Sequence, residues 1–282
     1  MSDLDDLQLR RGPEDVAPVR EPRRRAAFWI PAVLLVLGVV AAAYVLFGRR
    51  DAAMETAAPG TTNGPAPRES VGVKAADIVV PPLDDTDALV RHLVAALSSH
   101  PKVAAWLTTD DLIRNFTAVV HDVSAGMTPA ARLKVLAPAR SFHPDDRDGD
   151  LRIDPQNYGR YDDVADAIAS VDAAGAARLY ATLKPRIDEA YAEQGFPHVP
   201  FDRTLERAIV HLLHTPVVTE APALEARGAD VFAYADPRLE NLSSAQKHLL
   251  RMGPRNVRLV QAKLREIAAA LGIAADRLPS GS

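Results

Sequence analysis

Cysteine is absent from all 282 residues of this sequence. Without cysteine the chain has no disulfide framework and no cysteine-ligated zinc site. Its absence also permits export into an oxidising compartment such as a bacterial periplasm, although it does not require export. An excess of basic residues is absent too, because 33 Lys and Arg stand against 37 Asp and Glu and give a formal net charge of -4. Since proteins that bind nucleic acid usually carry a basic stripe, the composition predicts no nucleic-acid partner.

Long hydrophobic runs are absent except for one, Ala26–Phe47, which contains 22 residues and no charge. As an α-helix this run extends about 33 Å, which matches the hydrocarbon thickness of a bilayer. The sequence therefore predicts a single transmembrane helix. Residues 1–25 hold six Arg and six Asp or Glu, a composition that favours a disordered tail. Because arginines concentrate on this side of the span, we expect the N-terminus in the cytoplasm and the C-terminal domain in the periplasm.

A cleaved signal peptide is the alternative interpretation of the same run. Ala41, Ala42 and Ala43 supply the small residues that a cleavage site needs. The hydrophobic run continues beyond them to Phe47, and the polar segment in front is long for a signal peptide. Both features favour an uncleaved anchor in the bacterial inner membrane.

The remainder of the chain divides into a linker, a domain and a short end. Residues 48–77 are rich in Pro, Gly, Ala and Thr and lack hydrophobic periodicity, which predicts a flexible linker. Residues 78–275 are long enough to bury a full core as one helical domain, and residues 276–282 are expected to be a disordered C-terminus. One helical stripe consists of Leu112, Ile113, Phe116, Val119, Val120 and Val123.

Two short stretches depart from helical spacing. Residues 147–151 contain Asp148-Gly149, a dipeptide favoured in tight hairpin turns, and residues 223–234 alternate around Gly228. Each predicts a β-hairpin, but together they supply too few strands for a principal sheet. The expected fold is therefore mainly α: a multi-helical globular domain with one or two short β-hairpins, preceded by the transmembrane helix.

An acidic turn suggests a calcium loop, because a hard cation prefers several carboxylate oxygens around a glycine turn. The residues concerned are Asp146, Asp148, Gly149 and Asp150. The register does not fit a helix-loop-helix calcium site, since Pro144 and Pro155 occupy its first and twelfth ligand positions. A solvated hairpin turn is the favoured interpretation.

Ser244 and Lys247 match the S-x-x-K spacing of penicillin-recognising enzymes, in which one helical turn brings an amine to a hydroxyl nucleophile. The other two sequence elements of those enzymes do not occur in the chain. A structural interpretation competes, because Ser243 with Gln246 forms a capping box at the start of a short helix. Gly253 and the proline after it are expected to end that helix.

His211 and His214 are three residues apart on a predicted helix and could share a face, as zinc ligands do. No third ligand lies nearby in the sequence. We therefore expect ordinary surface or core-edge histidines and no metal. Farther upstream, Thr108 and Asp111 have the composition of a helix start.

A partner-binding face is predicted from polar and aromatic residues that helical periodicity does not require. Its members are Tyr158, Arg160, Tyr161, Arg251 and Asn256, all placed at expected helix ends. Tyr and Arg are the residue types that most often anchor interfaces. The alternative is that the tyrosines pack the core and Arg251 caps a helix.

Several segments carry a resemblance to a known family. They are residues 110–116, 154–162, 235–242 and 246–253, and they resemble the bacterial family of domain of unknown function 3014 over roughly Ile78 to Leu271. The resemblance implies an envelope protein that is usually anchored in the membrane near its N-terminus. It implies no established activity, no catalytic residues and no cofactor.

Together these features lead us to expect a non-enzymatic interaction or structural module of the bacterial envelope. Its partners would be the membrane, through Ala26–Phe47, and another envelope protein or a cell-wall component. The alternative is a hydrolase or acyl-transferase acting on cell-wall material. An assembled site around Ser244 and Lys247 would favour the enzyme, and a polar surface without convergent groups would favour the module.

Overall fold

The computed structural model describes residue 76 and residues 78–138, 140–147, 149–228 and 231–280. The predicted cytoplasmic tail, the transmembrane span and nearly all of the linker lie outside the described residues. Within the described residues, no helix has both the length and the hydrophobicity to cross a bilayer.

The described chain is mainly helical, as predicted. Its α-helices are α1 (Asp87–Ala95), α2 (Pro101–Trp106), α3 (Leu112–Ser124), α4 (Asp162–Ala169), α5 (Ala173–Glu193), α6 (Phe201–Leu213), α7 (Pro237–Glu240), α8 (Ser244–Leu250) and α9 (Gly253–Ala270). Shorter 3-10 helices cover Leu83–Asp85, Ala130–Arg132, Lys134–Leu136, Pro155–Tyr161 and Ala275–Arg277. The strands are β1 (Pro144–Arg147), β2 (Asp150–Ile153), β3 (Leu224–Gly228) and β4 (Val231–Tyr234).

The main hydrophobic core lies between α3, α5, α6 and α9. Helix α3 packs along α6, while α9 packs against α4 and α5. Phe116, Tyr191 and Phe201 meet where α3, α5 and α6 converge, with ring centroids 5.5 Å apart for Phe116 and Phe201 and 5.1 Å apart for Tyr191 and Phe201. Each ring is buried and removes a large apolar area from water, so this junction is a principal source of stability.

Both predicted β-hairpins form. Strands β1 and β2 pair antiparallel, with Gly149 in the turn at φ +78°, and β3 and β4 pair antiparallel as well. A single bridge between Arg152 and Ala223 joins the two hairpins. Beneath them lies a second, smaller hydrophobic cluster of Ile153, Tyr234, Leu239 and Leu250.

The two ends of the described domain are tied to the core. The backbone N–H of Ala76 donates to Thr182 Oγ1 at 2.9 Å. At the other end, Arg277 pairs with Glu206 at 2.6 Å and Leu278 packs against the main core. Both residues belong to the segment 276–282, for which the sequence predicts a disordered C-terminus; that boundary stays a prediction.

Helix α3 begins at the expected place but is capped by a different residue. Asp111 is its N-cap residue at φ 54°, a left-handed conformation, and its side chain makes no capping bond. Instead the carboxylate of Asp87 in α1 accepts the backbone N–H groups of Asp111 and Leu112, both at 2.9 Å. Thr108 bonds to the carbonyl of Ala105 and takes no part in the cap.

The junction of α8 and α9 follows the prediction. The Ser243 hydroxyl accepts the Gln246 N–H at 3.1 Å and the Gln246 side chain accepts the Ser243 N–H at 3.2 Å, completing the capping box. Gly253 follows α8 at φ +82° and starts α9. Helix α9 packs against the 3-10 helix Pro155–Tyr161.

Candidate functional site

The predicted partner-binding residues do lie together, around a close approach between Tyr158 and Gly253. A Cβ atom added to Gly253 would lie 2.3 Å from Cγ of the Tyr158 ring. The ring therefore rests directly on the glycine backbone, and only glycine fits there. This contact fixes the 3-10 helix Pro155–Tyr161 against the start of α9.

Two of the five predicted residues are buried under this contact. Asn256 is 1% exposed, and its side-chain amide donates to Asp162 Oδ1 at 2.8 Å, Met252 O at 3.0 Å and Tyr158 O at 3.3 Å. Tyr161 is 5% exposed and belongs to the main core. Their position supports the architectural alternative for these two residues, whereas a partner-binding role for the set stays a prediction.

Arg160 lies half-buried between aromatic rings. Its guanidinium carbon is 5.4 Å from the Tyr161 ring centroid and 6.0 Å from that of Phe142, distances typical of cation–π contacts. One long hydrogen bond of 3.4 Å joins Nη1 to Asn157 Oδ1. Arg160 Nε is buried and has no hydrogen-bond partner among the described residues.

Arg251 is the exposed member of the set, and it lies beside a tyrosine that the sequence did not single out. Tyr234 is 4% exposed, and its buried hydroxyl interacts with the side chain of Arg251. Burial raises the pKa of Tyr234 to about 12, although the nearby positive charge of Arg251 opposes this shift. Burial also raises the pKa of Tyr161, against the charges of both Arg160 and Arg251. The positive charges of both arginines therefore favour the ionised form of the same tyrosine, Tyr161.

We call this surface, formed by Tyr158, Arg160, Tyr161, Tyr234 and Arg251, the Tyr–Arg face. Neither of its arginines forms an ion pair with a described carboxylate. The sequence contained a signal for Tyr234, because the strand pattern of residues 223–234 ends on it. It contained none for Phe142, which lies in a loop and reaches Arg160 only through the fold.

The S-x-x-K pair does not assemble as a nucleophile and base. Lys247 Nζ donates to the Glu240 carboxylate at 2.8 Å and to the Glu240 carbonyl at 2.9 Å, while Ser244 is exposed. The same Glu240 carboxylate accepts the Tyr234 N–H at 2.9 Å. Its pKa is lowered, chiefly by the hydrogen bond from Lys247. Lys247 thus anchors α8 to α7 and β4.

His211 and His214 also contact different partners and do not form a shared site. His211 Nε2 lies 2.7 Å from Ser243 Oγ, the capping hydroxyl of α8, whereas His214 Nδ1 bonds to the Val210 carbonyl within its own helix. Burial, and to a lesser extent the charge of His214, lowers the pKa of His211. Its ring therefore connects α6 to α8. The described residues contain no cluster of three or more candidate metal ligands.

The acidic turn adopts the hairpin favoured over a calcium loop. Arg147 pairs opposite Asp150 across the two strands, and Gly149 occupies the turn. Asp150 makes an ion pair with Arg152 at 2.7 Å. Asp148 lies outside the described residues, so two of the three acidic residues of this turn, Asp146 and Asp150, are placed.

An open groove of about 440 Å³ runs along α3. Arg114, His121, Asp122, Arg132, Gln194 and Phe196 contribute to its lining. Its charges are already paired: Arg114 contacts Asp84, Asp111 and Glu193 at 2.7 to 3.1 Å, and Arg132 contacts Asp122 at 3.0 Å. The hydrogen bonds from Arg114 to these carboxylates raise its pKa, chiefly through Glu193.

A family model described as a protein of unknown function (DUF3014) matches residues 112–268, more than half of the chain. The chain belongs to this family. The matched range includes α3 through most of α9, and therefore the whole Tyr–Arg face. No curated protein and no solved structure matches the chain significantly.

Proposed function

We propose that this family member is a non-enzymatic interaction or structural module of the bacterial envelope, held at the inner membrane by Ala26–Phe47 with its domain in the periplasm. The charge-free run and the arginines in front of it support the anchor and its orientation. The Tyr–Arg face carries the interaction role, because it offers two arginines without ion pairs on a platform of tyrosines. That combination is the one most often found at the centre of protein interfaces.

The enzyme alternative receives less support from the geometry. The amine of its proposed base, Lys247, is paired with the carboxylate of Glu240 at 2.8 Å. A general base must reach the proton that it removes, so this arrangement favours the module. The partner is proposed to be another envelope protein or a cell-wall component.

Two experiments test the proposal. A reporter that is active only in the periplasm, fused after Ser282, should be active; a stable but inactive fusion would contradict the orientation. A photoreactive residue in place of Arg255, beside the Tyr–Arg face, should then crosslink a partner in living cells. The matched control carries it in place of Arg203, which is exposed on α6. Crosslinks from the control position alone would contradict the proposed surface.

A further inference from the structure

The side of α9 that faces away from the core is basic. The helix contains four basic residues and one acidic residue: Arg255, Arg258, Lys263, Arg265 and Glu266. Spacings of three and seven residues place its three arginines along one side, while its buried residues lie on the other. Arg255 and Arg258 are exposed, Arg265 is half-buried, and the exposed Ala262 lies among them. We call the surface formed by these three arginines and Ala262 the α9 arginine face.

Most of the charge of this face is not compensated within the domain. Arg255 pairs with Asp166 at 2.8 Å, whereas Arg258 and Arg265 form no ion pair with any described residue. The one acidic residue of the helix, Glu266, is itself paired with Lys263 at 2.5 Å. The α9 arginine face therefore presents net positive charge to whatever approaches it.

The N-terminal part of the domain has the reverse balance. Residues 78–111, which include α1 and the segment before α3, contain five Asp against two basic residues, Arg91 and Lys102. The domain is therefore electrically asymmetric. An anionic surface would attract it through α9 and repel it at α1.

The chain leaves the domain on the helix that lies beside α9. The N–H of Ala76 is bonded to Thr182 of α5, and α9 packs against α5. The predicted linker of about 30 residues, 48–77, separates this point from the predicted membrane span, and a flexible linker of that length reaches roughly 30 Å. This tether would hold α9 within reach of the membrane surface and so raise the effective concentration of lipid headgroups around it.

We infer that the α9 arginine face binds the anionic phosphate headgroups of the bilayer in which the chain is anchored. The inference rests on the proposed function, since it requires the anchor Ala26–Phe47. A protein partner fits this face less well, because α9 contains no aromatic residue and such residues are enriched at the centre of protein interfaces. Arginines attract an anionic membrane surface without a pocket, and each strengthens the contact about fivefold.

The contact can be tested with the full-length chain in lipid nanodiscs. Because the chain has no cysteine, Ala262→Cys provides a single attachment site for a fluorophore on the α9 arginine face. Ala88→Cys, an exposed position on the acidic helix α1, is the matched control. With a quencher attached to lipid headgroups, addition of phosphatidylglycerol to phosphatidylcholine discs should increase quenching at residue 262 but not at residue 88. Salt at roughly 1 M, where the Debye length is about 3 Å, should reverse the increase.

Variants that remove charge make the result specific. The double variant Arg258→Gln, Arg265→Gln should weaken the phosphatidylglycerol-dependent contact roughly 25-fold. The double variant Arg203→Gln, Arg207→Gln removes the same charge from α6, whose two acidic residues balance these arginines, and should leave the contact unchanged. Equal losses in the two double variants would overturn the inference.

The remaining outcomes separate the inference from the proposed anchor. A labelled chain that co-purifies with the discs, but is quenched equally with and without phosphatidylglycerol, would overturn the inference and leave the anchor standing. Failure to co-purify would overturn both. A response at residue 262 to soluble polyglutamate, without a response to phosphatidylglycerol, would assign the face to an acidic protein and overturn the lipid contact.

Discussion

The groove along α3 and the Tyr–Arg face both contain arginines. The arginines of the groove form ion pairs with carboxylates, whereas those of the Tyr–Arg face form none in the part of the chain that the structure describes. Arg114 in the groove is surrounded by three carboxylates, so its charge is satisfied within the domain. Arg160 in the Tyr–Arg face is surrounded by rings and keeps an unpaired Nε. If concave shape were the only criterion, the groove along α3 would be the candidate binding site. Charge balance favours the Tyr–Arg face over the groove, because Arg160 and Arg251 form no ion pair within the described domain.

The Tyr–Arg face also combines fixed and adaptable parts. Asn256 and Tyr161 are buried and hold the 3-10 helix Pro155–Tyr161 to α9, while Arg251 lies exposed above them. A rigid base with one free charged side chain is suited to recognition, since little order must be gained on binding. Substitution of a buried residue and substitution of Arg251 should therefore affect stability very differently.

The largest effect is expected from Tyr161→Ala. Removing a buried aromatic ring leaves a cavity and should lower the free energy of unfolding by about 3 to 5 kcal/mol. Arg251→Ala should change it by no more than about 0.5 kcal/mol, because the side chain is exposed and has no ion pair. Urea unfolding followed by circular dichroism measures both. A loss for Arg251→Ala as large as that for Tyr161→Ala would make Arg251 part of the architecture.

Gly253→Ala should be nearly as harmful. The new methyl group would lie 2.3 Å from the Tyr158 ring at a backbone φ of +82°, so the ring must move. We expect a loss of about 3 kcal/mol from overpacking and the left-handed backbone together. Gly149→Ala is the matched control: its φ is +78°, and a Cβ there meets nothing within 4 Å. It should cost only about 1 kcal/mol; equal losses would disprove the importance of the Tyr158 contact.

Acid should destabilise the domain through His248, which is buried in α8 and whose Nε2 has no hydrogen-bond partner in the described part of the chain. Burial lowers its pKa from 6.5 to about 3, with a smaller contribution from Arg251. The folded state therefore holds the neutral ring, and its stability is fully present above pH 6.5 and is lost as the pH falls toward 3. Between pH 6.5 and pH 5 the loss should reach about 2 kcal/mol.

The control for this pH dependence is His248→Leu, which cannot titrate. Unfolding measured across the same pH range should show a shallower decline in the variant. Parallel curves for the two proteins would show that His248 does not carry the effect.

The smallest effect on stability is expected at the start of α3, next to the groove. Asp87→Ala removes the carboxylate that accepts two N–H groups at the start of the helix, and should cost about 1 kcal/mol, as the loss of a helix cap does. Asp85→Ala, an exposed aspartate nearby, is the control and should be close to neutral. Equal melting temperatures for the two variants would contradict the capping role of Asp87.

Local pattern was sufficient for much of the fold. The stripe from Leu112 to Val123 predicted α3, and Asp148-Gly149 predicted the first hairpin, because both depend on neighbours in sequence. The cap of α3 could not be predicted, since Asp87 lies 24 residues from the N–H of Asp111 that it accepts. Likewise, Ser244 matched a catalytic spacing, but the pairing of Lys247 with Glu240 depends on how α7 and α8 meet.

The sequence predicted the approximate location of the candidate site but not the role of each residue in it. Interface-prone residue types identified Arg160 and Arg251, but sequence alone did not separate them from Asn256, whose amide is consumed by three internal acceptors. Tyr234 enters through the second hairpin, whose approach to Arg251 is a tertiary contact. Hydrophobic periodicity predicts which residues are buried. It does not predict which buried hydrogen-bond donors lack an acceptor.

Recovery of crosslinked partners from living cells tests most directly the claim that unpaired arginines mark the binding surface. Arg251→Ala and Arg114→Ala would be compared with the wild type, after circular dichroism has shown that both variants fold. Each removes one arginine, unpaired in the first variant and paired with three carboxylates in the second. We predict that Arg251→Ala loses the partner and Arg114→Ala retains it. Retention by Arg251→Ala together with loss by Arg114→Ala would place the binding surface at the groove and contradict this account.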